Sequence, residues 1–148
     1  MTSRFMVAVV CDDIRPEVGN KVSFMGIYGQ ELVVPSFPAT LPKLCAAVYV
    51  RTLTSDPFRR LTVRVQKDDT ELGQIEIPQA QLEALQSQIK DSIEEGYISA
   101  AFMCQFSPVT LEQPCALRFR AETERETLKG GSVRVKAQEL DTSPSSSR

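Results

Sequence analysis

Few side chains in this chain can do chemistry, so the first question is whether their spacing lets them act together. Acidic residues fall in three turn-like stretches: Asp12 with Asp13, Asp56, and Asp68 with Asp69. Calcium takes about six to eight oxygen ligands, and loops at one end of a layered β-fold can supply them from several turns. No single loop here carries a run of alternating aspartates, so a metal site would draw Asp12, Asp13, Asp68 and Asp69 from two loops. The plainer account is that Asp favours turns because its carboxylate bonds the local backbone.

A second set is basic. Arg64, Arg118, Arg120, Arg134 and Lys136 sit at alternate positions of strand-like segments, so they share the outward side. Arginine presents a planar fork to phosphate or carboxylate, which makes this row a candidate interaction surface. Glu122, Glu124, Glu126 and Glu139 lie nearby in sequence, and cross-strand ion pairs on a solvated face are the competing reading.

The chain has no histidine, which removes the usual general base, a usual zinc ligand and the His-containing nucleophile triads. It also lacks a phosphate-binding Gly-x-x-x-x-Gly-Lys loop, a dinucleotide fingerprint and a Gly-x-Ser-x-Gly elbow. An enzyme would have to run on carboxylates, lysine, tyrosine or cysteine. Cys11, Cys45 and Cys104 lie in apolar strand-like runs and Cys115 follows a proline; no two form a Cys-x-x-Cys pair. They read as buried free thiols, with a disulfide between neighbouring strands, such as Cys45 with Cys104, as the alternative.

The elements that would position these residues are mostly strands. Lys21 to Val34 is the longest strand-like run, apolar on both sides and broken by Gly26 and Gly29; it is expected to be covered from water and to bend or cross between sheets at the glycines. Glycine at 26 could instead leave room for a ligand. Arg4 to Cys11 is apolar on both sides and reads as a central strand, followed by a loop over Asp12 to Asn20. Pro35, Pro38 and Pro42 keep Val34 to Leu41 out of a central ladder and suggest an extended crossover into a strand over Lys43 to Leu53.

Arg60 to Gln66 and Glu71 to Ile77 read as a hairpin, and Tyr97 to Ser107 as a strand with Ile98, Ala100, Phe102, Cys104 and Phe106 facing in. Ala116 to Glu126 and Ser132 to Gln138 follow, joined through a turn at Gly130-Gly131. Leu82, Leu85, Ile89 and Ile93 recur at helical spacing between Pro78 and Gly96, which places one short amphipathic helix near residues 79–93. The sum is an all-β fold: a two-layer β-sandwich, Ig-like or C2-like, of about eight strands, with a partly closed barrel as the alternative. Residues 1–140 form the single domain and the polar stretch 141–148 is expected to be disordered.

At 148 residues the chain can bury a core without metals or disulfides. A net charge of −2 with a pI near 5.3 gives no electrostatic case for nucleic acid or acidic membrane. No apolar run reaches membrane-span length and no leader cleavage site follows the first residues, so a cytoplasmic location is expected.

The opening, an apolar strand ending in Cys11-Asp12-Asp13, then Gly19-Asn20-Lys21, Met25-Gly26-Ile27-Tyr28 and a Pro-rich passage to Leu41-Pro42, resembles a group of small uncharacterised proteins of bacteria and their phages, a domain of unknown function. The resemblance covers about the first third of the chain and implies a bacterial or phage source, with no activity or site residues attached. A complete apolar pattern without a catalytic set points to a non-enzymatic module that binds a protein partner or itself, with no cofactor. The alternatives are a calcium- or ligand-binding C2-like sandwich using the acidic loops, and a carboxylate- or Cys-dependent enzyme.

Overall fold

The computed structural model describes residues 3–89 and 96–139. In chain order the elements are β1 (Phe5–Glu17), β2 (Lys21–Ile27), β3 (Glu31–Val34), β4 (Ala39–Leu41), β5 (Leu44–Leu53), β6 (Leu61–Lys67), β7 (Thr70–Glu76), α1 (Gln79–Ile89), β8 (Tyr97–Phe106), β9 (Val109–Leu111), β10 (Cys115–Thr123) and β11 (Thr127–Ala137). They build two packed sheets. The first has the order β2-β1-β5-β8, the second β3-β11-β10-β6-β7, and β4 pairs with β9 in a separate two-stranded ribbon. The expected all-β sandwich is therefore found. Among the described residues no helix is long and apolar enough to cross a membrane.

Alternation decides what the core contains. In the first sheet Met6 and Val10 of β1 face Val50 and Ala46 of β5, which in turn face Ala100 and Cys104 of β8. All six are buried, and they meet Leu117, Phe119, Val133 and Val135 of the second sheet. Phe102 and Phe106, partly buried, complete the inward row expected for β8. The hairpin β6–β7 turns through Asp68, which takes a positive φ of 50°.

α1 covers a shorter span than the expected 79–93. Leu82 is buried and Leu85 packs against the core, while Ile93 lies outside the described residues, as does the tail 141–148. Burial of the Leu82 and Leu85 stripe places the helix along β8, where it closes part of the gap between the two sheets.

Three local expectations need correction. The loop anticipated at Asp12 to Asn20 is mostly strand: β1 continues to Glu17 with β2 alone beside it, an edge setting in which Pro16 is tolerated, and the reversal is confined to Val18, Gly19 and Asn20. The run Lys21 to Val34 is two strands in different sheets, as its glycines suggested, but β2 is an edge strand with Met25 47% and Ile27 61% exposed, not one sealed from water. The Gly130-Gly131 pair is not a turn. The hairpin closes earlier, where the Thr123 amide donates to the Glu126 carbonyl at 2.8 Å. Gly131, at φ +93°, instead makes a bulge inside β11 that shifts register between Arg118 and Arg120, and Gly130 lets Met6 of the facing sheet approach its backbone.

Candidate interaction surfaces

The two acidic pairs do not converge. Asp12 accepts a hydrogen bond from the Tyr28 hydroxyl. Burial, with the Asp12 carboxylate beside it, pushes that phenol up to about 12. Asp13 accepts from Lys43 Nζ at 2.6 Å, and this bond holds its carboxyl below the usual range. Asp68 caps β10 by accepting from the Ala116 amide at 3.0 Å, and Asp69 lines a shallow depression with Asp68 and Glu112. Among the described residues no group of three or more carboxylate or thiol ligands is placed to hold a metal ion.

Gly26 does not leave room for a ligand. It has φ +68°, and a Cβ there would lie within 2.8 Å of Asp12 Cγ, so the space is filled by Asp12 itself. Gly26→Ala is expected to destabilise by about 1–2 kcal/mol from the backbone alone, with the overlap added. Asp12→Ala in the Gly26→Ala background should recover only the overlap. Urea midpoints of the two single variants and the double variant give the separation.

The basic row does come together. Arg64, Arg118, Arg120, Arg134 and Lys136 all stand on the outer face of the second sheet, on β6, β10 and β11. Two of them are neutralised: Arg64 pairs with Glu71 at 2.5 Å and Glu122 at 2.9 Å, and Lys136 with Glu31 at 3.0 Å. Arg118, Arg120 and Arg134 make no ion pair among the described residues. Arg120 lies directly opposite Arg64 on one side and Lys129 on the other, and like charges so placed are unfavourable. Arg120→Glu is therefore expected to stabilise the fold by about 0.5 kcal/mol, read as a raised urea midpoint.

The outer face of the first sheet went unrecognised in the sequence. The odd-numbered residues of β1 point away from the core, as do those of β2, β5 and β8 in the same register. Phe5, Val7, Met25, Ile27, Tyr97 and Met103 are each 44–61% exposed on this face. They surround a floor of small buried side chains, Cys11, Cys45 and Ala47. Phe5 and Tyr97 meet edge to face at 6.3 Å, and the Arg51 guanidinium lies 5.7 Å from the Tyr97 ring centroid. Soluble domains seldom expose so many contiguous apolar side chains without using them. The available signal was the surplus: β1 is apolar on both sides, and the one helix among the described residues, α1, is spent along β8 at the gap between the sheets.

The cysteines sort by face. Cys45 points outward opposite Cys11, whereas Cys104 points into the core opposite Ala46, so a Cys45–Cys104 disulfide is geometrically excluded. All four thiols are free. Burial first, and then neighbouring charge, raises the thiols of Cys11, Cys104 and Cys115, which keeps them protonated.

What fold and surface define is a two-layer β-sandwich with one apolar and one basic outer face. The chain belongs to the family described as "Family of unknown function (DUF6941)", matched over residues 6–136, far beyond the opening third that carried the resemblance. No curated protein matches it.

Proposed function

We propose that this protein is a non-enzymatic binding module whose partner is a protein, engaged through the outer face of the first sheet. The observation that carries the reading is the cluster of six exposed large apolar side chains on one side of a four-stranded sheet. Burial raises the thiols of Cys11, Cys104 and Cys115, which speaks against a thiolate nucleophile at those positions. A bacterial or phage source belongs to the same proposal. So does a cytoplasmic setting, which four free thiols suit.

A photo-crosslinking residue in place of Val7 should join the protein covalently to a polypeptide in the native cell extract, while the same residue in place of Gln81 on α1 should not. Equal yields at the two positions would count against the reading. A second reading, an acidic polypeptide on the basic face, is favoured by Arg118, Arg120 and Arg134, which make no ion pair among the described residues. Its mark would be binding of poly-glutamate that disappears at high salt and in Arg118→Glu.

A further inference from the structure

We infer that the occupant of the apolar face is a second copy of this chain, packed sheet against sheet about a two-fold axis. This rests on the proposed protein-binding reading and names the partner. Charge is the first argument. The outer face of the second sheet carries three arginines that have no carboxylate partner among the described residues and would repel its own copy. On the first sheet the charged outward groups lie at the ends of the face, Arg51 at one and Asp13, met by Lys43 at 2.6 Å and Arg15 at 4.0 Å, at the other, and the outward residues between them, Val7, Val9, Cys11, Cys45, Ala47 and Tyr49, are uncharged. A two-fold axis running across the strands keeps the two Arg51 side chains at opposite ends of the interface. An axis along the strands would bring them together.

Area is the second argument. Four strands about 4.8 Å apart, with β5 and β8 spanning about ten residues at roughly 3.4 Å each, give a face on the order of 600 Å² in plan. Side-chain relief raises the accessible area above the plan value, toward the ~800 Å² per partner of a standard interface. The relief is also of the right form. A low floor at Cys11, Cys45 and Ala47, rimmed by Ile27, Met103 and Val7, is complementary to itself when one copy's rim is laid over the other's floor. Stacked sheets of this kind sit about 10 Å apart with strands nearly aligned.

Light scattering on the full chain across the micromolar range tests the inference. The expected mass is twice the 16.4 kDa of one chain. Met103→Lys, a substitution at an exposed position, should weaken association by about 100-fold or more, while Gln81→Lys on α1 should leave it unchanged. Radical footprinting supplies a readout that needs no variant: oxidation of Met25 and Met103 should fall as concentration rises, and that of buried Met6 should not move. A 16.4 kDa monomer at all concentrations, or a dimer indifferent to Met103→Lys, overturns the inference. If the monomer nevertheless crosslinks from Val7 to a different polypeptide, the second copy is refuted and the binding reading survives. With neither dimer nor crosslink, both fall.

Discussion

Arg4→Met is expected to destabilise the protein by about 3–5 kcal/mol, the loss that follows when one partner of a buried ion pair is removed. The Arg4 side chain is fully buried at the start of β1 and binds at several points. Its Nε donates to Thr52 Oγ1 at 3.0 Å, and its Nη2 donates to the Pro57 carbonyl at 3.0 Å and pairs with Glu124 at 2.7 Å and Asp56 at 3.5 Å. The guanidinium carbon stands 4.8 Å from the Phe58 ring centroid. One planar group thus joins the first strand, the segment after β5 and the β10–β11 hairpin. Arg4→Lys cannot reproduce this fork and is expected to fall close to Arg4→Met, whereas a solvated arginine would tolerate lysine without loss. Urea unfolding of the three proteins at neutral pH, with equal m-values, measures the difference.

Acidification should weaken the fold through the other half of this pair. Burial pushes the Glu124 carboxyl up, but the Arg4 guanidinium and the backbone amides of Glu124, Arg59 and Arg60 outweigh it and bring the group down to about 2 from an ordinary 4.5. The folded state therefore binds this proton less readily than the unfolded chain. Its contribution is full above pH 4.5 and drains away as the pH falls toward 2, by about 3 kcal/mol in all. Glu124→Gln should be less stable at neutral pH and should lose that much less between pH 5 and 2. Parallel acid dependence in the two proteins would show that the pair does not set it.

What could be read in the sequence was what is written at short range. β6 and β8 alternate cleanly, and their inward rows appear in the core as expected. The split of Lys21 to Val34 between sheets falls at Gly29, one of the two glycines that signal it, between the end of β2 and the start of β3. Features that depend on distant partners were not readable. A strand apolar on both sides looks the same whether its second face is covered or bare, which is how the face bearing Val7 and Met103 escaped notice. A turn and a bulge ask the same positive φ of glycine, so Gly131 gave no local sign of which it made. Cys11 and Cys45 become neighbours only through strand register, and Arg4, polar and next to an apolar run, carries no local mark of burial. The basic row was found because all five residues follow strict alternation within their own strands, but its partial neutralisation by Glu31 and Glu71 comes from adjacent strands.

The parallel pairing of β3 with β11 sets Leu32 beside Val135 and Val34 beside Ala137. β3 thus waits until β11 has been made before its backbone finds a ladder partner. Contacts of such long sequence separation close slowly, and a nascent chain in that state displays apolar surface on the wrong side of completion. The two sheets thus differ in kind: β1, β2 and β5 find one another within a short stretch of chain, whereas β3 is held in place only by a strand that lies far along it.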